Sequence, residues 1–247
     1  MPEILELDRS DLWAALAAGW QDFRRAPPYG LFFAAVYVLG GWLIYWATTA
    51  EGAIWWTIVA GTGFPILGPF VACGFYEVSR RLEQGEPLDW AGVLGAIFRQ
   101  KDRQIPTMAA IIVVFFLFWN FLAHMIFALF LGRATLTNIS TSFDVFLTPE
   151  GLTMLAVGTL VGAVFAGVLF ALTVVSLPLL MDREVDFITA MICSWGLVMA
   201  NPGVMLIWAV VIAVGLFLGM LTGFLGLFIA LPLFGHATWH LYRRALE

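Results

Sequence analysis

Charge is scarce in this sequence. Only 12% of its 247 residues are charged and 62% are hydrophobic, whereas a soluble domain is about half apolar and about a quarter charged. A soluble globular fold is excluded on that ground. Cysteine is scarcer still. Cys73 and Cys193 have no partner at a recognisable spacing, which argues against a disulfide framework. Twelve Lys and Arg stand against seventeen Asp and Glu without forming a basic stripe, so nucleic acid is not an expected partner. The opening MPEILELDRSD is acidic and lacks the cationic start of a cleavable signal peptide. The first apolar run, near Tyr29, is expected to act as its own targeting signal. The short alternating strands of an outer-membrane barrel are missing as well.

Long apolar runs are present instead, and a helix needs about 20 such residues to cross the hydrocarbon core. The reading is an all-α membrane protein with six transmembrane helices, because a helix satisfies every backbone polar group within lipid. The spans are placed at Tyr29–Thr49, Ile54–Ser79, Pro106–Leu131, Gly151–Met181, Gly203–Met220 and Gly223–Tyr242. The last two form one apolar run of about 40 residues, too long for a single crossing. GMLTGF is therefore expected to turn at Gly219, Thr222 and Gly223.

Three further segments precede the pairs of spans: DLWAALAAGWQDFRRAPP from Asp11, DWAGVLGAIFRQKDRQIP from Asp89 and DFITAMICSWGLVMANP from Asp186. Each opens with an Asp followed within two residues by an aromatic and meets a Pro 16 or 17 residues later. Asp caps the free amides of a helix start, and Pro is tolerated where the next helix begins. Trp13, Leu16, Trp20 and Phe23, then Trp90, Val93, Leu94, Ile97 and Phe98, recur at helical spacing. These segments are expected to be amphipathic helices at the membrane interface. The third, with Ile188, Met191, Ile192, Trp195 and Met199, is more apolar and is expected to be partly buried. An interfacial helix followed by a hairpin of two spans, repeated three times, describes the chain, with units at about 8–85, 86–183 and 184–247. Arg9, Arg24, Arg25, Arg80, Arg81, Arg99, Lys101, Arg103, Arg183, Arg243 and Arg244 fall on one side of this topology, and Arg133 on the other. The expected location is a bacterial inner membrane with both termini cytoplasmic.

The ends of the second and sixth spans align without a gap, PFVACGFYEVSRR on PLFGHATWHLYRR. Tyr76 meets Trp239 and the Arg pairs coincide, as expected of an aromatic at headgroup depth and snorkelling cations. Glu77, His236 and His240 remain unexplained, since ionisable groups at that depth should face protein or a wet cleft. Glu77 is expected to approach His240 as a structural pair, with a proton or substrate site and a metal or haem site as alternatives. Cys73 and Glu77 with His236 and His240 supply ligand types at helical spacing, but that signal is weak and no metal or cofactor is expected. Asn120 and His124, one turn apart in the third span, are expected to form a hydrogen-bonding pair between packed helices. GTGF at Gly61–Phe64 is no phosphate loop, and neither an intramembrane Asp pair nor a Ser, His and Asp set is present. No enzyme chemistry is expected.

The strings GWQDFRRAPPYGLFFAAVYVLGGW, GFPILGPFVACGFYEVSRRLEQGEP and LPLFGHATWHLYR resemble a bacterial family of predicted integral membrane proteins of unknown function. Its members are sometimes labelled cytochrome c oxidase subunit I-like. Catalytic oxidase subunits have many more spans and several haem and copper histidines, whereas this chain has three histidines in total. The resemblance implies an inner-membrane protein whose partners are the lipid bilayer and respiratory or other membrane-complex subunits. The expected role is an accessory, assembly or scaffold component. The alternative is a small-molecule or ion transporter with a cytoplasm-facing site near Glu77 and His240.

Overall fold

A computed structural model describes residues 2–51, 54–132 and 144–246, with side chains described outside 47–64. The helices run in the order α1 (Arg9–Arg25), α2 (Pro27–Glu51), α3 (Ile54–Gln84), α4 (Trp90–Arg99), α5 (Ile105–Leu131), α6 (Pro149–Thr173), α7 (Ser176–Asp182), α8 (Phe187–Ala200), α9 (Pro202–Leu221) and α10 (Leu227–Ala245). A 3-10 turn, Gln100–Asp102, follows α4. Pro27 and Pro202 open their helices and Pro106 sits in the first turn of α5, where a missing N–H removes no helical bond.

Asp caps start the three short helices, with one correction. Asp89 accepts from the Gly92 amide at 2.7 Å and Asp186 from the Thr189 amide at 2.9 Å. In α1 the cap is Asp8 and not Asp11. Asp8 accepts from the Ser10 amide at 2.6 Å, while Asp11 reaches back to the Asp8 amide at 3.0 Å, closing a capping box. The Ser10 hydroxyl and the Asp11 and Ser10 amides hold the Asp8 carboxyl below its ordinary pKa.

Among the described residues, four helical stretches are long and apolar enough to cross a membrane: Pro27–Trp46, Ile105–Leu131, Pro149–Asp182 and Pro202–Leu221. Helices α3 and α10 also stand where spans were expected, but each gives its last turns to polar side chains, EVSRRLEQ and HATWHLYRR. The fourth expected span is broken. Pro178 has no N–H to donate to the Val174 carbonyl and its ring crowds that oxygen, and the helix stops at Thr173 and restarts at Ser176. The Ser194 hydroxyl of α8 receives the freed Val175 amide at 3.3 Å, and Ser176 donates to the Ala190 carbonyl at 3.0 Å.

The expected turn between α9 and α10 is present. Gly223 and Phe224 both take positive φ, 67° and 68°. Thr222 Oγ1 donates to the Gly219 carbonyl at 2.8 Å and accepts from the Gly226 amide at 2.7 Å. Trp42 of α2 donates to the Gly223 carbonyl at 2.8 Å, fixing the turn to its neighbour.

The bundle is tight at its arginine-rich end and open at the other. Trp208, Leu179, Leu197, Trp239, Leu241 and Tyr242 form a closed core near the ends of α7 to α10. The far halves of α5, α6 and α9 instead expose Leu117, Phe121, Leu129, Leu160, Val210 and Phe217. The short helices also present apolar residues outwards: Trp13 and Trp20 from α1, Trp90 and Phe98 from α4, and Ile188, Ile192, Trp195 and Met199 from α8. On α8 the buried side is Ala190, Cys193, Ser194 and Leu197. The apolar face read from the sequence thus points away from the protein on α8, except for the half-buried Met191.

Each short helix packs on a long-helix end that precedes it in space: α4 on α3, α8 on α6 and α7, and α1 on α10. The α1–α10 contact is the closest. A Cβ added to Gly19 would lie 2.5 Å from the Ala237 amide nitrogen and 2.8 Å from its Cα. Backbone cannot yield as a side chain can, so Gly19→Ala is expected to cost about 1–3 kcal/mol by overpacking, read as a lower unfolding temperature in detergent. Gly158→Ala, with nothing within 4 Å of the added carbon, should unfold at or above the wild-type temperature, since Ala outranks Gly in a helix. Equal behaviour of the two variants would refute the contact.

Candidate functional site

The polar groups of the arginine-rich end gather around α3 and α10. Glu77 is 2% exposed, a depth at which a lone carboxylate would be very costly. Its neighbours one turn on neutralise it. Arg80 forms a two-pronged pair, Nε to Oε2 at 2.9 Å and Nη2 to Oε1 at 3.0 Å, and Arg81 Nε reaches Oε1 at 2.7 Å. Helix α3 then ends in a Schellman turn. Gly85 has φ 69° and the Glu86 amide donates to the Arg81 carbonyl at 2.9 Å. That turn folds Glu86 back to Arg80, with Oε2 3.1 Å from Nη2.

Helix α10 is bound by three neighbours. His240 Nε2 lies 2.6 Å from Oδ2 of the buried Asp22 on α1. His236 is fully buried, with Nδ1 2.9 Å from Ser79 Oγ of α3 and its ring edge-on to Phe75 at 5.5 Å. Its Nε2 has no partner among the described residues. Glu83 of α3 accepts from Trp239 Nε1 at 3.0 Å and Arg243 Nε at 3.1 Å. Tyr242 donates to Asp182 of α7 at 2.6 Å.

The expected pair of Glu77 and His240 is therefore corrected. Both residues are placed at the same end of the bundle, but each is hydrogen-bonded elsewhere. Arginines three and four positions along α3 reach Glu77 without crossing to another helix, and α1 brings Asp22 to His240. Asn120 and His124 do hydrogen-bond to each other, but within α5 and not between packed helices. His124 Nδ1 is 2.7 Å from the Asn120 main-chain oxygen, and Asn120 Nδ2 donates to the Phe116 carbonyl at 2.8 Å. Both side chains thus satisfy themselves on their own helix, and His124 is exposed. Cys73 and Cys193 are buried and unbridged. Among the described residues no three His, Cys, Asp or Glu side chains come together as a metal site. Arg133 lies outside the described residues.

Asp22, Ser79, Glu83 and Asn201 escaped the sequence reading. Asp22 did leave a signal: with Leu12, Ala15 and Gly19 it continues the buried stripe of α1, and an acid on such a stripe needs a partner. Asn201 left none. It closes α8 and binds the N-terminal segment, accepting from the Leu7 amide at 2.7 Å and donating to the Leu5 carbonyl at 3.1 Å. Leu5 in turn donates its amide to the Ala245 carbonyl at 3.0 Å.

One cavity opens at this end. It holds about 460 Å³ and is lined by Glu77, Arg80, Ala96, Arg99, Gln100, Arg103 and Met181. Three guanidiniums against one carboxylate, itself already paired, make it an electropositive recess between α3, α4 and α7. Such a lining can bind an anion, while nothing in it provides a nucleophile.

Residues 56–182 of the chain, just over half of its length, match the family described as predicted integral membrane protein, DUF2189. The chain belongs to that family. It is an integral membrane protein with transmembrane helices, and the family's function is unknown. All seven residues lining the cavity fall within the matched stretch. No curated protein and no solved structure matches the chain.

The partner assignment predicts an energetic coupling. Asp22→Ala and His240→Ala should each destabilise the protein by about 1–3 kcal/mol, because each leaves the other side chain without its hydrogen-bond partner. The double variant should lose clearly less than the sum. Strictly additive losses in thermal unfolding would show that the two side chains do not interact.

Proposed function

We propose that this protein is a non-enzymatic accessory, assembly or scaffold component of a membrane complex in the bacterial inner membrane. It crosses six times, through α2, α3, α5, α6 with α7, α9 and α10, in three units of one short helix and two long ones. The packing order supports the units. Helix α4 of the second unit sits on α3 of the first, α8 of the third on α6 and α7 of the second, and α1 of the first on α10 of the third. That cyclic order is what a pseudo-threefold ring of repeats would give. The gathering of Arg80, Arg81, Arg103, Arg183, Arg243 and Arg244 in ion pairs at one end supports a cytoplasmic location for that end and for both termini.

The accessory reading is carried by the closure of the interior at this end. Glu77, His240, Glu83 and Asp182 are each tied to neighbouring side chains, and Trp208, Trp239 and Tyr242 fill the space between helices. A transport route ordinarily leaves such groups facing water. Meanwhile α5, α6 and α9 offer wide apolar faces within the membrane. One observation favours the transporter as a second reading, namely the cavity beside Glu77.

Two measurements test these assignments. With Cys73 and Cys193 replaced, an impermeant thiol reagent should reach cysteines introduced at Glu51 and Asp144 from outside the cell and should miss those at Glu86 and Glu184. Outside labelling at Glu86 would reverse the topology. Photo-crosslinkers at the exposed Leu129 and Leu160 should trap one membrane partner at fixed stoichiometry, and assembly of that partner's complex should fall when the chain is deleted. Recovery with lipid alone, together with solute flux through reconstituted vesicles, would replace the accessory role by transport.

A further inference from the structure

We propose that the cavity between the ends of α3, α4 and α7 binds a phosphate group that carries a neighbouring hydroxyl, the chemistry of a phosphoglycerol. The inference does not depend on the accessory role, and it concerns side chains that the clamps around α10 do not use.

The lining supplies two guanidiniums with capacity to spare. Arg99 forms no hydrogen bond or ion pair among the described residues and is exposed at the cavity rim. Arg103 has one contact, 3.4 Å to Glu184, a side chain 94% exposed. An ion pair so solvated is worth at most about 1 kcal/mol and gives way to a better acceptor. Arg80 forms the inner wall, held in place by Glu77 and Glu86. The Glu77 carboxylate does not repel an anion there, because Arg80 and Arg81 already neutralise it. Guanidinium forks match phosphate oxygens in pairs, and Arg99 and Arg103, four positions apart across the 3-10 turn Gln100–Asp102, can hold one group between them.

Gln100 adds the selectivity. Its side chain is 5% exposed, lines the cavity, and its Oε1 has no hydrogen-bond partner among the described residues. A ligand donor that reaches it would gain a hydrogen bond worth about 0.5–1.5 kcal/mol. Phosphate oxygens cannot donate, whereas a hydroxyl beside the phosphate can. The equivalent junction elsewhere in the fold is closed. Asp22 stands as far from Asp11 as Gln100 does from Asp89, and Glu77 aligns with His240. Where α1 meets α10, Asp22 and His240 bond directly. Where α4 meets α3, Gln100 is unpaired, Glu77 turns to its own arginines, and a cavity of about 460 Å³ remains. That volume lies in the range of small-ligand sites, about 300–1,000 Å³.

The ligand has two sources with shared chemistry. Trp90 and Phe98 are exposed on α4, as expected of a helix at headgroup depth, so a phosphatidylglycerol headgroup can enter from the bilayer. A free phosphoglycerol can enter from the aqueous side.

The full-length protein in phosphatidylcholine nanodiscs is the starting material, with thermal unfolding and equilibrium titration as readouts. Phosphatidylglycerol mixed into the discs, or glycerol phosphate added to the solution, should raise the unfolding temperature. A response to the lipid alone assigns the headgroup and a response to the solute alone assigns the free compound, and either supports the site. Arg99→Gln and Arg103→Gln should each weaken binding by roughly tenfold, the equivalent of about 1.4 kcal/mol. Arg99→Gln breaks no described bond, so its unfolding temperature without ligand should equal that of wild type. Lys101→Gln removes a cation of the same turn that does not line the cavity and should leave affinity unchanged. Gln100→Leu should abolish the preference for glycerol phosphate over methyl phosphate while leaving methyl phosphate binding intact. Stabilisation by neither ligand, or an equal loss in Lys101→Gln and the arginine variants, would overturn the proposal. An unaltered preference in Gln100→Leu would remove its hydroxyl half.

Discussion

The polar last turns of α10, held inside a packed interior, set the arrangement of the arginine-rich end. A helix carrying two histidines, a tryptophan, a tyrosine and two arginines can enter an apolar core only if most of its polar atoms find partners there. Those partners come from α1, α3 and α7, so satisfying one helix orders three others. The hydrogen bond from His240 to Asp22 matters most among these links. It joins a helix from each end of the chain and sits beside the Gly19 contact, where the two backbones touch. Both the polar and the steric requirement are met at one crossing.

Helix α3 meets the same difficulty differently. Glu77 is neutralised from within its own helix by Arg80 and Arg81, so it does not need a hydrogen-bond donor from α4. The α3–α4 junction is consequently relieved of the constraint that closes the α10–α1 junction, and space remains between Gln100 and Arg103. The junction with local charge pairing is thus the recess, and the one without it is the clamp.

Features that depend on nearby residues were legible in the sequence. The Asp caps, the proline starts, the order of short and long helices and the turn at Gly223 follow from capping, backbone angles and apolar run length, all of which act over a few residues. Partner choice was not legible to the same degree. The ends of α3 and α10 align without a gap, yet equal position in an alignment does not make two side chains neighbours. Which helix lies beside each end is settled by packing that joins residues more than two hundred positions apart, as Asp22 and His240 are. The break after Thr173 was open to prediction from Pro178, whereas its capping by Ser194 was not. Asn120 and His124 show the opposite limit: both bond to main-chain carbonyls of their own helix rather than across a helix interface.

The seating of α1 on α10 has a consequence for folding. Asp22 meets His240, and Gly19 meets Ala237, across more than two hundred positions, so the entropy of closing that long stretch is lost before the contact is gained. The surface of α10 that receives α1 is made after α1 is, and until it is present the inner side of α1 has no mate. The hydrogen bond of Leu5 to Ala245 then ties together the segments that flank the crossing.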